Sequence, residues 1–510
     1  MATGIIPVEK ERERPKPLLG GFAALAESAW MGFPQSTEVL DALWTAPANR
    51  LRRARVIPRR PRVQWRGLLT REFSVAEASF ILMVSFFLSA GLGAVRQILF
   101  NAQFGIGVAA DAYYAAFRLP DTLFSLIAGG ALSSAMIPVL LGTVREDGEQ
   151  AGEQLINLVM TTMMLLFAVV VLVVELFTPF FVNNILAPGF DAATSQLAVT
   201  LTRIMLIQSL VLAVGSVLTA VLNSRNQFLL TGLAIISHNV ALITGILVAR
   251  FVPGVGIYGP TVGVVAGSIL QLLIQLPGIL GRQRLQLVLN FGDRRLREIG
   301  RLLAPNGLSV GVNYAGFIAD TAFASQAIEA AALPAMYNAW LLVGLPIALL
   351  GQAVGQATFP RLAGHAEAGE WREMRQTLFR SLGVVIGLAI PALLGLLFLG
   401  RFVIRILFER GEFNAAAGDL TYTVLIAYAV ALPAYVGTEV IARGLVSLRD
   451  TRTPLATNIL QLIGRITIMS FFISSRGILA IPIALAVTAT LETLLLGTVL
   501  LTRLNRRMYG

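Results

Sequence analysis

Long apolar runs recur along the chain from Phe80 to Leu501, and short polar segments separate them. Each run holds about 20 residues, enough for a helix to cross roughly 30 Å of hydrocarbon. The fold class that this pattern predicts is all-α integral membrane. It predicts about twelve transmembrane helices, at 80–100, 115–141, 155–181, 197–222, 229–251, 260–281, 299–325, 332–357, 380–399, 419–442, 454–474 and 477–501.

Composition and charge fit the membrane interpretation. Hydrophobic residues make up 56% of the sequence and charged residues only 14%, which argues against a soluble fold. Lys and Arg are retained on the cytoplasmic side of a membrane. Most loop arginines fall in the even-numbered predicted loops and the C-terminal segment, and the odd-numbered loops hold only Arg250, Arg401, Arg405, Arg410 and Arg476. We therefore expect both termini in the cytoplasm.

The first 72 residues form a separate region, predicted to be a poorly ordered basic cytoplasmic tail. Arginines cluster between Arg50 and Arg71, and no acidic residue occurs between Asp41 and Glu72. Such a segment is drawn to anionic lipid by about 1 kcal/mol per cation and also fixes topology. The net charge of +11 thus reflects topology and surface, and it does not indicate a nucleic-acid partner.

Ionisable residues occur at or near membrane depth, where they need a function or a buried partner. The first two predicted spans carry Arg96, Asp111, Arg118 and Asp121. We consider four residues for ion coupling or gating, namely Asp121 and, in later spans, His238, Asp320 and Glu439. Glu175 and Glu492 are additional acids in the spans. His238 fits either a hydrogen bond between helices or a proton-linked role.

Enzyme chemistry finds little support in the sequence. The chain has no cysteine and only two histidines, so thiolate metal sites, cysteine nucleophiles and a histidine metal cage are excluded. Neither a phosphate-binding loop nor a GxSxG or HExxH motif occurs. No cofactor is expected beyond a possible coupling ion, so a transporter is the better interpretation.

An internal repeat predicts two pseudo-symmetric lobes. The residues Tyr114 to Leu140 of the second span are echoed by Tyr337 to Leu362 of the eighth. Copies six spans apart run the same way through the membrane, which predicts parallel repeats around a central cavity. We place the N-lobe at 73–284 and the C-lobe at 285–510. Small residues such as Gly91 and Gly93 predict close helix contacts, and prolines within spans predict kinks.

Several motifs resemble a known family, in order and from about residue 75 to 502. They are RQILFNAQFG, DAYYAAFRLP and GGALSSAMIPVL between Arg96 and Leu140, LAPGF at 186–190, VLNSRNQF at 221–228, GSILQLLIQLP at 267–277, the pairs Asp320-Thr321 and Ala324-Ser325, TFPRLA at 358–363, LFERGEF at 407–413 and LRDTRTP at 448–454. The chain thereby resembles the MurJ (MviN) lipid II flippases of the multidrug, oligosaccharidyl-lipid and polysaccharide exporter superfamily.

The resemblance implies a flippase of the bacterial inner membrane. It would carry an undecaprenyl-diphosphate-linked peptidoglycan precursor, lipid II, from the inner to the outer leaflet by alternating access. Membrane lipids and cell-wall synthesis proteins are the other partners that the resemblance suggests. Coupling to Na⁺, to H⁺ or to the membrane potential would supply the driving force.

The family's cavity pattern is present only in part. Arg96, Arg118 and Asp111 match family positions, so we expect the two arginines to contact the substrate and Asp111 to hold one of them or close a gate. Arginine suits a diphosphate because its planar fork donates paired hydrogen bonds. Other positions depart from the family: Ala90, Phe124, Gly129, Leu341 and Gly344 stand where charged residues are usual. We also expect the chain to lack the two additional C-terminal helices of typical members.

Two other functions stay open at this point. A cavity that has lost arginines and kept acids would suit an ion-coupled exporter of small cationic or amphipathic compounds with the same fold. A scaffold that binds cell-wall synthesis proteins through the basic tail, without transport, is the second alternative. Arg203 and Arg465 could replace lost cavity cations, but helix interfaces and snorkelling explain them more simply.

Overall fold

A computed structural model describes residues 71, 73–127, 131–280, 283–329 and 332–509. The predicted N-terminal tail lies outside the described residues, apart from Arg71. The described chain is built from helices joined by short connections and contains no strand.

The described part of the N-terminal half contains eight helices. They are α1 (Val75–Phe104), α2 (Val108–Ile127), α3 (Ala131–Asp147), α4 (Glu149–Leu176), the short α5 (Thr178–Phe181), α6 (Ala192–Ser224), α7 (Phe228–Phe251) and α8 (Tyr258–Leu280). Helix α1 begins five residues before the predicted span because Ser74 and Glu77 form a capping box at its N-terminus. A π-helical turn, Val182–Leu186, follows α5.

The C-terminal half contains eight more described helices. They are α9 (Arg294–Ser325), α10 (Ala332–Pro346), α11 (Ala353–Ala368), α12 (Trp371–Leu407), α13 (Ala415–Ala429), α14 (Leu432–Ser447), α15 (Arg452–Arg476) and α16 (Ala480–Tyr509). The π-helical segment Ile347–Gln352 separates α10 from α11 directly after Pro346, as expected where proline removes a backbone hydrogen bond. Helices α13 and α14 meet at a bend of 43°.

Each of the twelve predicted spans falls on one helix or on two consecutive helices. Within the described ranges, eight helical segments are long and apolar enough to cross a membrane, or nine if the bent α13–α14 pair forms one span. The twelve-span count therefore stays a prediction. Helix α9 is absent from these segments, and α15 and α16 count together as one segment from Arg452 to Tyr509.

The helices pack by close contact of small residues, most tightly in the α7–α8 pair among the described helix pairs. A Cβ on Gly245 of α7 would lie 2.4 Å from the carbonyl oxygen of Gly259 of α8, so only glycine permits this approach. The prediction for Gly91 is wrong, because a Cβ there would have no atom within 4 Å. The first span therefore uses its glycines less than the α7–α8 pair does.

We name the two ends of the helix bundle, proximal and distal, after the residues that lie at each. The proximal end holds Arg71 and Tyr509, and the distal end holds the α1–α2 and α9–α10 connections. The predicted topology makes the proximal end cytoplasmic.

Helix α9 crosses between the halves, since it packs against α2 and α3 as well as against α10 and α15. The largest buried apolar cluster likewise includes Phe100 and Leu206 from one half and Leu333 and Leu485 from the other.

The glycine contact gives a test of the packing. Gly245→Ala should lower the apparent thermal midpoint of the detergent-solubilised protein, because overpacking against backbone costs about 1–3 kcal/mol. Gly91→Ala is the matched control, and it should leave the midpoint unchanged or slightly raised. Equal midpoints for the two variants would contradict the close approach of α7 and α8.

Candidate functional site

A buried network of neutral polar side chains joins the two halves near the distal end. Gln97 Nε2 donates to the Tyr114 hydroxyl at 2.6 Å and to Asn338 Oδ1 at 2.8 Å. Asn101 Nδ2 also donates to Asn338 Oδ1, at 2.9 Å, and Asn338 Nδ2 donates back to Asn101 Oδ1 at 3.2 Å. Since no water competes at this depth, amides from α1 and α10 satisfy one another.

Backbone contacts close the same end of the molecule. The amide of Glu412 donates to the carbonyl of Ala102 at 3.0 Å. Gly105 and Gly411 both have positive φ, and a Cβ on Gly105 would collide with the backbone of Glu412, as one on Gly411 would with the backbone of Ala102 in the last turn of α1. The two loops therefore interlock only because each carries glycine at its contact.

Asp111 belongs to this closed end. Its Oδ1 accepts a hydrogen bond at 3.2 Å from the backbone N–H of Leu333, at the start of α10. The predicted gate residue thus links α2 to the other half through a backbone amide. On the same side of the molecule, the amide of Gly189 donates to Ser325 Oγ at 3.1 Å.

Arg96 lines a small cavity immediately below the closed end. Its guanidinium donates to Asn239 Oδ1 at 3.2 Å, and Asn239 in turn donates to Ser89 Oγ at 2.8 Å. The cavity takes side chains from both halves: Arg96, Gln97, Phe100, Tyr113, Tyr114, Phe117, Leu242, Ile246 and Tyr337. The cavity holds about 30 Å³, enough only for water-sized groups, so an anionic head group on Arg96 would need a wider space between the halves.

His238 lies beside Asn239 on α7. Its Nδ1 is buried and has no hydrogen-bond partner in the structure. A Cβ on Gly267 of α8 would lie 2.9 Å from this nitrogen, so α8 packs directly against the imidazole. The ring thus occupies a helix interface.

Arg118 bridges α2 and α9. Its Nε donates to Thr321 Oγ1 at 3.3 Å, and its guanidinium carbon lies 5.2 Å from the centre of the Phe317 ring. One turn along α2, Asp121 interacts with Arg118 and with the hydroxyl of Tyr314. Two predicted residues, Arg118 and Asp121, therefore occupy the interface between the halves.

Asp320 is paired with an arginine that the sequence analysis assigned to helix interfaces or snorkelling. Arg465 of α15 donates to Asp320 Oδ2, and both side chains are buried. Among the residues that the structure describes, Asp320 Oδ1 and Arg465 Nε find no hydrogen-bond partner. The pair lies within the C-terminal half, next to Thr321 and hence close to Arg118.

The remaining predicted acids have local partners. Glu439 lies 4.0 Å from Arg443 one turn further along α14, and Glu492 accepts a hydrogen bond from Thr457 at 3.3 Å. Arg203 pairs with Glu175 at 3.5 Å, with both side chains substantially exposed. No group of three His, Asp or Glu side chains that could hold a metal ion occurs in the described parts of the chain.

Sequence reasoning missed the neutral and aromatic residues of the interface. Gln97, Asn101 and Asn338 carry no charge, and Trp340 packs its indole against Tyr428 with ring centres 5.4 Å apart. A signal was present, because amide side chains inside apolar spans are costly without partners. It could have marked the Arg96–Asn101 segment as a site where helices meet.

The sequence of this chain is similar to those of known membrane proteins. The family model described as lipid II flippase MurJ matches residues 100–508. The lipid II flippase MurJ of Burkholderia cenocepacia is 31% identical over 426 residues, which cover 82% of each chain. A probable lipid II flippase MurJ of Rhizobium tropici is 28% identical over 371 residues, 71% of this chain and 69% of that protein.

Solved structures show the same fold. A lipid II flippase MurJ in an inward closed conformation aligns with a TM-score of 0.70 at 23% identity, over 82% of this chain and 86% of that chain. An inward-facing multidrug resistance MATE transporter of the MOP superfamily aligns with a TM-score of 0.71 at 12% identity, over 82% and 95%. With the family match over four-fifths of its length, this chain belongs to the lipid II flippase MurJ family and is a membrane transporter, not an enzyme.

Proposed function

We propose that this protein moves lipid II across the bacterial inner membrane by alternating access, with Arg96 and Arg118 contacting the diphosphate. The observation that carries the proposal is the position of these two guanidinium groups. Arg96 lines a cavity that takes residues from both halves, and Arg118 crosses from α2 to α9.

A site of this kind removes the main barrier to flipping. A sugar-peptide diphosphate cannot cross hydrocarbon unaided, because each unsatisfied polar group costs several kcal/mol there. Arginine forks can bind the diphosphate by charge-assisted hydrogen bonds while the prenyl chain stays in lipid. The aromatic side chains of Tyr113, Tyr114 and Tyr337 offer flat surfaces for the sugar rings.

The contacts at the distal end support an inward-facing state. The Asn101–Asn338 and Ala102–Glu412 hydrogen bonds join the halves there, which favours access to Arg96 from the proximal side. With both termini in the cytoplasm, the proximal side faces the leaflet in which lipid II is made. Outward release then requires these distal contacts to break.

Membrane potential is the driving force that the site favours over a cation bound at Asp320. The Arg465 guanidinium already neutralises that carboxylate. Outward movement of an anionic head is favoured by an inside-negative potential, by about 2.3 kcal/mol per charge per 100 mV. The same ion pair argues against the ion-coupled exporter at this acid.

The arginines give the first functional test. Arg96→Ala and Arg118→Ala should each abolish complementation of a flippase-depleted bacterial strain, because a diphosphate without a guanidinium partner is poorly stabilised in the cavity. Arg118→Lys should restore little, since an ammonium lacks the planar fork. Arg203→Ala is the control, because its partly exposed side chain pairs with Glu175 outside the cavity.

For each variant, growth of the depleted strain is compared with the amount of the variant in the membrane. A leaflet-accessibility assay then measures how much lipid II reaches the outer leaflet. Normal growth of Arg96→Ala at wild-type abundance would remove Arg96 from the site. Failure of the wild-type chain to flip lipid II in the depleted strain would overturn the proposed function itself.

Alternating access has its own test, helped by a chain that has no cysteine of its own. The variant A102C/E412C places two thiols at the distal contact, where the two backbones are hydrogen-bonded. Cross-linking with copper phenanthroline or a short bismaleimide should stop flipping, because the distal end cannot open. Reduction should restore flipping after the disulfide reaction, and the two single variants should be insensitive. Full flipping with the cross-link intact would contradict the mechanism.

A further inference from the structure

The connection between α8 and α9 displays an apolar row at the proximal end. Most of its described side chains are exposed, with Leu287 76% and Phe291 62% exposed to the surroundings of the protein. Leu285 and Leu289 are exposed in the same row. Leu285, Leu287 and Leu289 occupy alternate positions, and Phe291 follows in the turn closed by the hydrogen bond from the Asp293 amide to the Asn290 carbonyl. We refer to these four exposed apolar residues as the apolar strip.

Hydrogen bonds to α4 hold the strip in place. Asn157 Nδ2 donates to the carbonyl of Arg284 at 2.9 Å, and the amide of Val288 donates to Thr161 Oγ1 at 3.1 Å. Asn157 Oδ1 also accepts from the amide of Gln286 at 3.3 Å. Polar side chains of a transmembrane helix thus satisfy the strip's backbone, which allows its apolar side chains to face hydrocarbon.

Three arginines follow the strip on one face of α9. Arg294, Arg297 and Arg301 are spaced three and four residues apart, and with Glu298 they line a half-open surface groove of about 550 Å³. A volume of this size lies within the range of roughly 300–1,000 Å³ that is typical of ligand sites. Phe291 and Arg294 are three residues apart, which an extended chain spans in about 10 Å.

The three arginines are free for a ligand. Within the described ranges, none of them has an acidic partner within 4 Å, although Arg297 donates to the carbonyl of Gly292 at 2.7 Å. Their neighbour Arg295 differs, because it pairs with Asp293 at 2.8 Å and lies 3.9 Å from Asp147. The hydrogen bond from Arg295 also keeps the pKa of Asp293 below its ordinary value, so this acid is committed to Arg295.

We propose that the apolar strip and the three arginines form a loading site for a prenyl diphosphate, with the phosphates on Arg294, Arg297 and Arg301 and the chain along Leu287 and Phe291. The inference rests on the proposed function and adds a second substrate site to it. Three cationic forks in a concave site match two linked phosphates better than the single phosphate of a phospholipid. Glu298 leaves the groove with a net charge of +2.

The loading site is distinct from the site between the halves. Twenty residues of α9 separate Arg301 from Thr321, the partner of Arg118, and a helix rises about 30 Å over that length. The substrate head therefore meets the loading site first and passes along α9 toward Arg118. The proximal arginines would raise the local substrate concentration, and the central arginines would carry out the crossing.

The test compares two sets of three arginine replacements in the full-length protein. R294Q/R297Q/R301Q removes the cluster, and R372Q/R380Q/R506Q removes three exposed arginines elsewhere at the proximal end, so both variants lose the same charge. Binding of undecaprenyl diphosphate in detergent micelles is measured by thermophoresis, with phosphatidylglycerol micelles as the competitor. The cluster variant should bind about tenfold or more weakly, as expected for lost charge-assisted hydrogen bonds, and the control should stay within about twofold.

A second variant tests the strip. L287S/F291S should weaken binding of undecaprenyl diphosphate and leave binding of inorganic pyrophosphate unchanged, because only the prenyl chain uses the strip. Thermal midpoints and elution volumes of all variants confirm that they are folded. In a flipping assay the cluster variant should need more lipid II for half-saturation and reach the wild-type rate at saturation.

Three results would overturn the loading site. They are unchanged undecaprenyl diphosphate affinity in R294Q/R297Q/R301Q, an equal loss in the matched arginine control, and equal competition by phosphatidylglycerol, which would indicate a general anionic-lipid surface. Absence of flipping by the wild-type chain would instead contradict the proposed function. The binding measurement does not depend on flipping, so the two failures can be told apart.

Discussion

The amide network of Gln97, Asn101 and Asn338 determines which end of the transporter is closed. Amide groups buried at membrane depth find no water, so each must meet a protein partner. In the structure the partners come from opposite halves, and the halves therefore touch at the distal end. The access route to Arg96 and the position of the central cavity both follow from this contact.

The contacts between the two halves are chemically weaker than the ion pair inside the C-terminal half. Most of the described polar contacts between the halves at the distal end are neutral amide or backbone hydrogen bonds, and hydrogen bonds between membrane helices contribute only about 0.6 kcal/mol on average. Water can replace them when the end opens. The Asp320–Arg465 ion pair lies instead inside one half, where α9 and α15 can stay together throughout the cycle. Breaking such a buried pair would cost several kcal/mol.

The sequence predicted the positions of the helices well, because apolar runs of span length leave few other structures in a membrane. The motifs identified the family, and Arg96 and Arg118 do lie at the interface between the halves. The partner of Asp320 was not predictable from spacing, since Arg465 is 145 residues away and an arginine in a span is equally compatible with snorkelling. The neutral amides were missed because hydrophobicity and charge patterns do not show which Asn or Gln faces another helix.

The departures from the family pattern in the central cavity can be explained together with the two groups of arginines. One group is Arg96 and Arg118, and the other is the cluster at the start of α9. By the family resemblance, Ala90, Phe124 and Leu341 stand where other members carry arginine, so the proposed central site would hold its anion with few cations. A transporter must release its substrate, and a site that binds too tightly would trap the head between the leaflets. On the loading-site proposal, the arginines at the proximal end of α9 would attract the substrate where it arrives. Attraction at the mouth would raise the occupancy of the entrance, and weaker binding in the centre would keep the head from being trapped there, so the two together favour passage.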